Sequence, residues 1–192
     1  MNVLGILPFA RFLLQSCLSE GDIAVDCTVG NGHDTVFLST LVGQTGEIYG
    51  FDIQQAAIRQ TKERLNKENI NTPVHLFCQG HEKLKDFIPS SLHGKVKGAI
   101  FNLGYLPGGD KTIVTTGVTT IQAIQALLDI MAPGGIIVTV IYHGHQQGQE
   151  EKNDVVSFVK RLPQEQAHVL HYEFINQKNN PPFIVAIEKR KG

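Results

Sequence analysis

The segment Val25-Asp26-Cys27-Thr28-Val29-Gly30-Asn31-Gly32-His33-Asp34-Thr35 constrains this chain more than any other stretch, because an acid at a strand end runs into a tight glycine turn and then into a helix. Gly30 and Gly32 have no Cβ, so the backbone there can take φ > 0 and approach a ligand closely. A helix starting near His33 leaves unpaired N–H groups facing that ligand. Such a turn suits a nucleotide-like cofactor. The dinucleotide pattern G-x-G-x-x-G would need a third glycine at position 35, where Thr35 stands, and the mismatch disfavours NAD.

Around this turn the chain alternates. Strand-like runs fall at Ile23–Val29, Glu47–Ile53, Val74–Cys78, Gly98–Leu103, Ile136–Tyr142, Val169–Ile175 and Phe183–Glu188. Helical stretches lie between the first five, at Asp34–Leu41, Gln54–Asn66, Glu82–Phe87 and Thr116–Met131, with Glu150–Arg161 after the fifth. An opening helix over Val3–Leu18 places Leu4, Leu7, Leu14 and Leu18 along one side, to cover the sheet or a subunit contact. Alternation of this kind predicts a parallel sheet with right-handed crossovers and helices on both faces. The short polar link Asn176–Pro182 predicts that the last two strands form an antiparallel hairpin. Ligands of such sheets gather beyond the carboxyl ends of the strands, where the strand order reverses. The residues to inspect are therefore Asp26–His33, Asp52–Gln54, Gln79–Glu82, Asn102–Lys111 and Tyr142–His145.

Composition narrows the class. With 192 residues, 42% hydrophobic and 18% charged, the chain has enough material for one well-buried domain, residues 1–192. No apolar run reaches the roughly 18 to 20 residues needed to cross a bilayer, and Pro8, Arg11 and Gln15 break the N-terminal segment, so a soluble cytoplasmic protein with no membrane partner is expected. Cys17, Cys27 and Cys78 are too widely spaced for a disulfide framework or a cysteine zinc site. At a formal charge of −1, any hold on nucleic acid must be local. Basic residues gather at Arg59, Lys62, Arg64 and Lys67, at Lys83 and Lys85, and at Lys189–Lys191, where solvated helix faces and a tail explain them equally well.

A second acid, Asp52 in Gly50-Phe51-Asp52-Ile53, closes the second strand where a carboxylate can accept both hydroxyls of a ribose. With that pair of motifs the chain resembles the class I S-adenosylmethionine-dependent methyltransferases, with Thr28 standing where glycine is commoner. The resemblance implies a Rossmann-like α/β fold whose seven-stranded, mostly parallel sheet has the order 3-2-1-4-5-7-6. After the fourth strand, Asn102-Leu103-Gly104-Tyr105 resembles the Asn-Pro-Pro-Tyr motif of amino-group methyltransferases, with Leu103-Gly104 replacing the prolines. An asparagine oxygen and nearby carbonyls can hold the hydrogens of an amine and aim its lone pair at a methyl donor. The same run almost spells a phosphate-binding loop from Gly104 to Thr112, but Asp110 breaks the register and puts a carboxylate where phosphate would sit.

Four segments together, Asp26–Thr35, Gly80-His81-Glu82, Asn102–Lys111 and Tyr142-His143-Gly144-His145, are similar to the small bacterial family labelled rRNA methylases and linked to methylation of the tRNA wobble uridine. The resemblance implies S-adenosyl-L-methionine as cofactor, the tRNA anticodon stem-loop as partner, a homodimer, and methylation of the exocyclic amine of 5-aminomethyl-(2-thio)uridine. Cofactor contacts are then expected from Asp26, Thr28, Gly30, Asn31, Gly32, His33, Asp34, Asp52, Ile53, Gln54, Gly80, His81, Asn102 and Leu103. Asn102, Asp110, Tyr142 and His143 are the expected catalytic groups, and Tyr105, Gly108, Gly109, Lys111 and His145 the expected substrate contacts. An alkylamine has a pKa of about 10 and is largely protonated at neutral pH, so a proton must leave before attack; Asp110 is favoured for that work, although it serves equally well as a helix N-cap. No metal is expected at His143-Gly144-His145, because methyl transfer from a sulfonium needs no Lewis acid. An rRNA, protein or small-amine acceptor, or a non-catalytic RNA-binding module, are the competing readings.

Overall fold

The computed structural model describes residues 2–104, 115–144 and 146–191. In chain order the elements are α1 (Ile6–Cys17), β1 (Ile23–Asp26), α2 (His33–Val42), β2 (Glu47–Phe51), α3 (Gln55–Lys67), β3 (Val74–Phe77), α4 (Leu84–Phe87), β4 (Val96–Leu103), α5 (Gly117–Ile130), β5 (Met131–Ile141), α6 (Gln146–Val159), β6 (Ala167–Tyr172) and β7 (Phe183–Lys189). The strands form one seven-stranded sheet in the order β3-β2-β1-β4-β5-β7-β6. β1 to β5 pair in parallel, and β7 runs antiparallel to both β5 and β6. This is the topology that the methyltransferase resemblance implies.

Both faces of the sheet are covered, which is why its central strands read as unbroken apolar runs. Side chains alternate between the faces with a period of two. Ile23, Val25, Ala99, Phe101, Ile137 and Ile141 pack with residues of α5 and α6, while Ala24, Ile100, Val138 and Val140 pack with α1 and α2. The stripe that α1 buries is Ile6, Ala10 and Leu14, continued by Leu18. The expected side through Leu4 and Leu7 is therefore corrected: both are exposed, and the i, i+4, i+8 row starting at Ile6 carries the packing.

Several boundaries differ from the sequence reading, among them β6, which spans Ala167–Tyr172, and two of the differences have a clear local reason. β1 ends at Asp26 instead of Val29, because the Thr28 amide turns back to the Asp26 carboxylate at 3.2 Å in an Asx-type turn. β5 starts at Met131 instead of Ile136, since Met131 pairs with Val96 across an irregularity that Pro133-Gly134-Gly135 accommodates. Among the described residues, no helix is long and apolar enough to cross a membrane.

Candidate functional site

Strand order reverses between β1 and β4, and a cavity of about 700 Å³ opens beyond their carboxyl ends. Its wall is built from the segments that follow β1, β2, β3, β4 and β5, closed on one side by α1. Thr28, Gly30, Asn31, His33 and Asp34 come from the glycine turn, Asp52, Ile53 and Gln54 from the end of β2, Gly80 and His81 from the segment after β3, and Asn102, Leu103 and Tyr142 from the tips of β4 and β5.

The glycine turn is held by its neighbours. Gly30 and Gly32 sit at φ 53 and 79, the left-handed region that disfavours any residue with a Cβ. The Gly30 amide donates to Asp52 Oδ2 at 2.9 Å, and the Gln54 amide to Asp52 Oδ1 at 2.8 Å. One carboxylate thus locks the tips of β1 and β2 together, and each of its oxygens retains capacity for a second donor. Two residues of α3 complete the brace: Thr61 Oγ1 donates to the Gly30 carbonyl at 3.1 Å, and Arg64 Nε to the Asn31 carbonyl at 2.7 Å. Arg64 also lies 3.1 Å from His33 Nε2, which must accept because a guanidinium only donates. Of the basic cluster on α3, expected on a solvated or RNA-facing surface, Arg64 instead turns to the glycine loop, and its i, i+3 spacing from Thr61 puts both on one helix face.

Thr28, which departs from the methyltransferase pattern, and Thr35, which departs from the dinucleotide pattern, both hold the turn in place. Thr28, in place of glycine, accepts the Asn102 amide on its hydroxyl at 2.7 Å and so joins the tips of β1 and β4. Thr35, in place of the third glycine, donates its hydroxyl to Asp26 Oδ2 at 2.6 Å inside the core. Asp26 itself is fully buried. Burial, followed by the charge of Asp34, pushes its carboxyl up to about 7, against the opposing pull of the Thr35 and Thr28 hydrogen bonds. Asp26 and Gly32 were both expected against the cofactor, and neither is among the lining residues; they brace the turn from behind.

At the tip of β4, Asn102 Nδ2 donates to Asp34 Oδ2. A carboxylate that accepts fixes which end of the amide is the nitrogen, so Oδ1 is the end left over. That oxygen is buried and has no hydrogen-bond partner among the described residues. Burial holds the Asp34 carboxyl above its ordinary range, with Arg11 and the Asn102 hydrogen bond pulling the other way. The Tyr142 amide donates to the Leu103 carbonyl at 3.2 Å, and burial next to Asp34 raises its phenol.

His81 offers a second orphan acceptor. Its Nδ1 lies 2.9 Å from the Cys27 carbonyl and therefore carries the proton, which leaves Nε2 with a lone pair, buried and without a partner among the described residues. Burial lowers the imidazole pKa and keeps the ring neutral.

His143 was expected to be catalytic and falls outside the cavity. Next along the chain from Tyr142, it points to the other side, buried at 5.4 Å from the Phe183 ring with Gln149 Nε2 3.1 Å from its Nδ1. Tyr105, Gly108, Gly109, Asp110, Lys111 and His145 lie outside the described residues. Among the described residues, no group of three or more His, Cys, Asp or Glu side chains is placed to hold a metal. The lining residues missed from sequence include Leu7, Ala10 and Arg11 of α1 and Thr115, Thr116 and Thr119 before and within α5. For α1 the i, i+3, i+4 spacing of the three was legible, but nothing local showed which surface it meets.

The site suits S-adenosylmethionine on its own chemistry. Among the described lining residues the formal charges are Asp34, Asp52 and Glu82 against Arg11, a balance that favours a ligand carrying a sulfonium and an ammonium. Asp52 offers acceptors for vicinal hydroxyls, and the orphan lone pair of His81 offers one for an amine.

Comparison with known proteins agrees. The profile of the family described as "Putative rRNA methylase" matches residues 48–188. The chain is 33% identical over 188 residues to the Arabidopsis thaliana protein named tRNA (mnm(5)s(2)U34)-methyltransferase, chloroplastic, covering 94% of this chain and 68% of the relative. Among solved structures, a "putative rRNA-methylase" of Clostridium thermocellum superimposes with a TM-score of 0.94 at 42% identity, over 98% of this chain and 100% of that one. A "putative methyltransferase" of Streptococcus mutans, solved in complex with SAH, gives 0.87 at 37% identity, over 97% and 99%. With its Rossmann-like class I fold, the chain therefore belongs to this rRNA methylase family and is an S-adenosylmethionine-dependent methyltransferase.

Proposed function

We propose that the enzyme methylates the exocyclic primary amine of 5-aminomethyl-(2-thio)uridine at the wobble position of tRNA, giving the 5-methylaminomethyl form. The observation that carries this reading is the buried, unpartnered Oδ1 of Asn102, aimed by the Asp34 hydrogen bond to Nδ2. An acceptor with no donor of its own, in a cavity wall, fits a nucleophile that brings N–H groups. The modification printed in the name of the Arabidopsis relative has the same chemistry. When bound, S-adenosylmethionine would supply a sulfonium methyl group, whose carbon passes to the amine nitrogen as the sulfur leaves as the neutral thioether of S-adenosylhomocysteine.

The chain's own residues bind and orient. Asp52 accepts the ribose hydroxyls, and Ile53, 57% exposed at the rim, offers apolar surface to the adenine while His81 Nε2 accepts from its amino group. Gly30, Asn31, His33 and Asp34 hold the methionine end. Asn102 Oδ1 accepts one hydrogen of the neutral amine and leaves its lone pair free. Asp110 takes the ammonium proton, an assignment made on sequence grounds. Tyr142 lines the cavity at the tip of β5, and burial raises its phenol further above the ordinary tyrosine value. The reading further places a single catalytic domain in the cytoplasm, working as a homodimer that presents a wider surface to the anticodon stem-loop.

The test is direct. Enzyme and labelled S-adenosylmethionine are incubated with tRNA from cells lacking this gene, and the RNA is digested to nucleosides for mass spectrometry. Label is expected in the wobble nucleoside with the wild-type enzyme, and absent with Asn102→Ala although that variant still binds S-adenosylhomocysteine. Label in rRNA, or none in the wobble nucleoside, would defeat the substrate assignment.

A further inference from the structure

One buried carboxylate has no part in the reading above. Glu151 on α6 is 3% exposed, does not line the cavity, and accepts from Thr115 Oγ1 at 2.6 Å and from Thr120 Oγ1 at 2.8 Å. Thr115 in turn meets Gly104: the Gly104 amide donates to Thr115 Oγ1 at 3.2 Å, and the Thr115 amide donates to the Gly104 carbonyl at 3.3 Å. A threonine hydroxyl has one hydrogen, and here it goes to Glu151, so the carboxylate dictates that a lone pair of Oγ1 faces Gly104.

Gly104 lies two residues beyond Asn102, at the end of β4. Three separate segments grip this tip: Thr28 holds the Asn102 amide, Tyr142 the Leu103 carbonyl, and Thr115 both backbone groups of Gly104. The first two grips come from neighbouring strands. The third depends on a buried carboxylate that receives the hydroxyls of both Thr115 and Thr120.

We propose that Glu151 is a positioning residue for methyl transfer: acting through Thr115, it fixes the tip of β4 and with it the direction of Asn102 Oδ1. The proposal rests on the assignment of Asn102 to the acceptor. A displacement of about 1 Å at a group that aligns a nucleophile can cost on the order of 100-fold in rate, whereas cofactor binding, built mainly on β1, β2 and β3, is left intact.

The full chain is examined as Glu151→Ala, Glu151→Gln, Thr115→Val and the Glu151→Ala/Thr115→Val double variant. Calorimetry gives the affinity for S-adenosylhomocysteine, steady-state assays on unmodified tRNA give kcat and KM, and NMR gives the exchange rate of the Gly104 amide. Glu151→Ala and Thr115→Val are each expected to lower kcat by about tenfold or more and to speed Gly104 exchange, with cofactor-product affinity within about twofold of wild type. The double variant should be no worse than the more impaired single one, and Glu151→Gln, which keeps an acceptor oxygen, should recover most of kcat. Parallel losses of affinity and kcat, or losses that add in the double variant, would mean that Glu151 only supports the fold, and would overturn the proposal. If Glu151→Ala fails to fold, Thr115→Val, which exchanges a hydroxyl for a methyl group, decides alone. A wild type inactive on tRNA counts against the substrate and leaves Gly104 exchange as the arbiter, where unchanged exchange in Thr115→Val refutes the clasp.

Discussion

Replacing Gly32 with alanine tests whether the glycine turn is held as described. Gly32 has φ 79 and ψ 12 and caps the start of α2. A left-handed conformation costs an ordinary L-residue roughly 1–2 kcal/mol. A Cβ built on Gly32 would also stand 2.8 Å from Thr61 Oγ1, 2.9 Å from Thr61 Cγ2 and 3.1 Å from Thr61 Cα. Thr61 is fully buried and tied to the Gly30 carbonyl, so it cannot swing away, and overpacking of this kind costs about 1–3 kcal/mol. Together the two effects amount to roughly 2–5 kcal/mol, a large share of the 5–15 kcal/mol that ordinarily separates folded from unfolded chains. Urea unfolding of Gly32→Ala, Thr61→Ala and the double variant separates the parts. Thr61→Ala alone should lose about 1 kcal/mol for its hydrogen bond and somewhat more for its methyl group. In the double variant the packing conflict is relieved and the conformational penalty persists, so the cycle should show a favourable coupling of about 1–2 kcal/mol. Affinity for S-adenosylhomocysteine should follow the same order, because Gly30 and Asn31 line the cavity. Wild-type stability in Gly32→Ala, or strict additivity in the double variant, would refute the reasoning.

Two further outcomes are expected. The Asp26 carboxyl is raised from 3.8 to about 7, so the folded protein holds a proton that the unfolded chain releases; its contribution to stability is greatest below pH 4, falls as pH rises to 7 and is flat above. Asp26→Asn, never ionised, should therefore gain on wild type across that window by up to about 4 kcal/mol, and unfolding profiles of the two proteins that stay parallel from pH 4 to 8 would contradict this. Asp52→Ala removes the acceptor of the Gly30 and Gln54 amides together with the proposed ribose contact, and calorimetry should show S-adenosylhomocysteine binding weakened roughly 10- to 100-fold, with Asp52→Asn intermediate. Unchanged tight binding in Asp52→Ala would remove the ribose assignment.

Much of the site was legible because its logic is local. Two glycines at φ > 0 after an acid, a second acid closing β2, and an asparagine closing β4 are statements about single strand ends, and the alternation of elements places those ends on one edge of a parallel sheet. Tyr142 and His143 show where this kind of reading stops. Adjacent in the chain and both plausible chemically, they leave β5 on opposite sides, and periodicity alone did not say which side faced the cavity.

Local pattern thus sufficed for the kind of sheet and the acidic, glycine-bearing edge at which a nucleotide-like cofactor sits, and the family resemblance supplied the order of the strands. Tertiary structure decided what braces that edge: Thr61 and Arg64 of α3 under the turn, Leu7, Ala10 and Arg11 of α1 along the wall, and Glu151 of α6 behind Thr115. Thr61 lies 31 residues along the chain from Gly30, Arg64 lies 33 from Asn31 and Glu151 lies 36 from Thr115. Covalent geometry restricts a residue only to its immediate neighbours. Which distant side chain meets a given backbone group is settled by how the crossover helices pack onto the sheet.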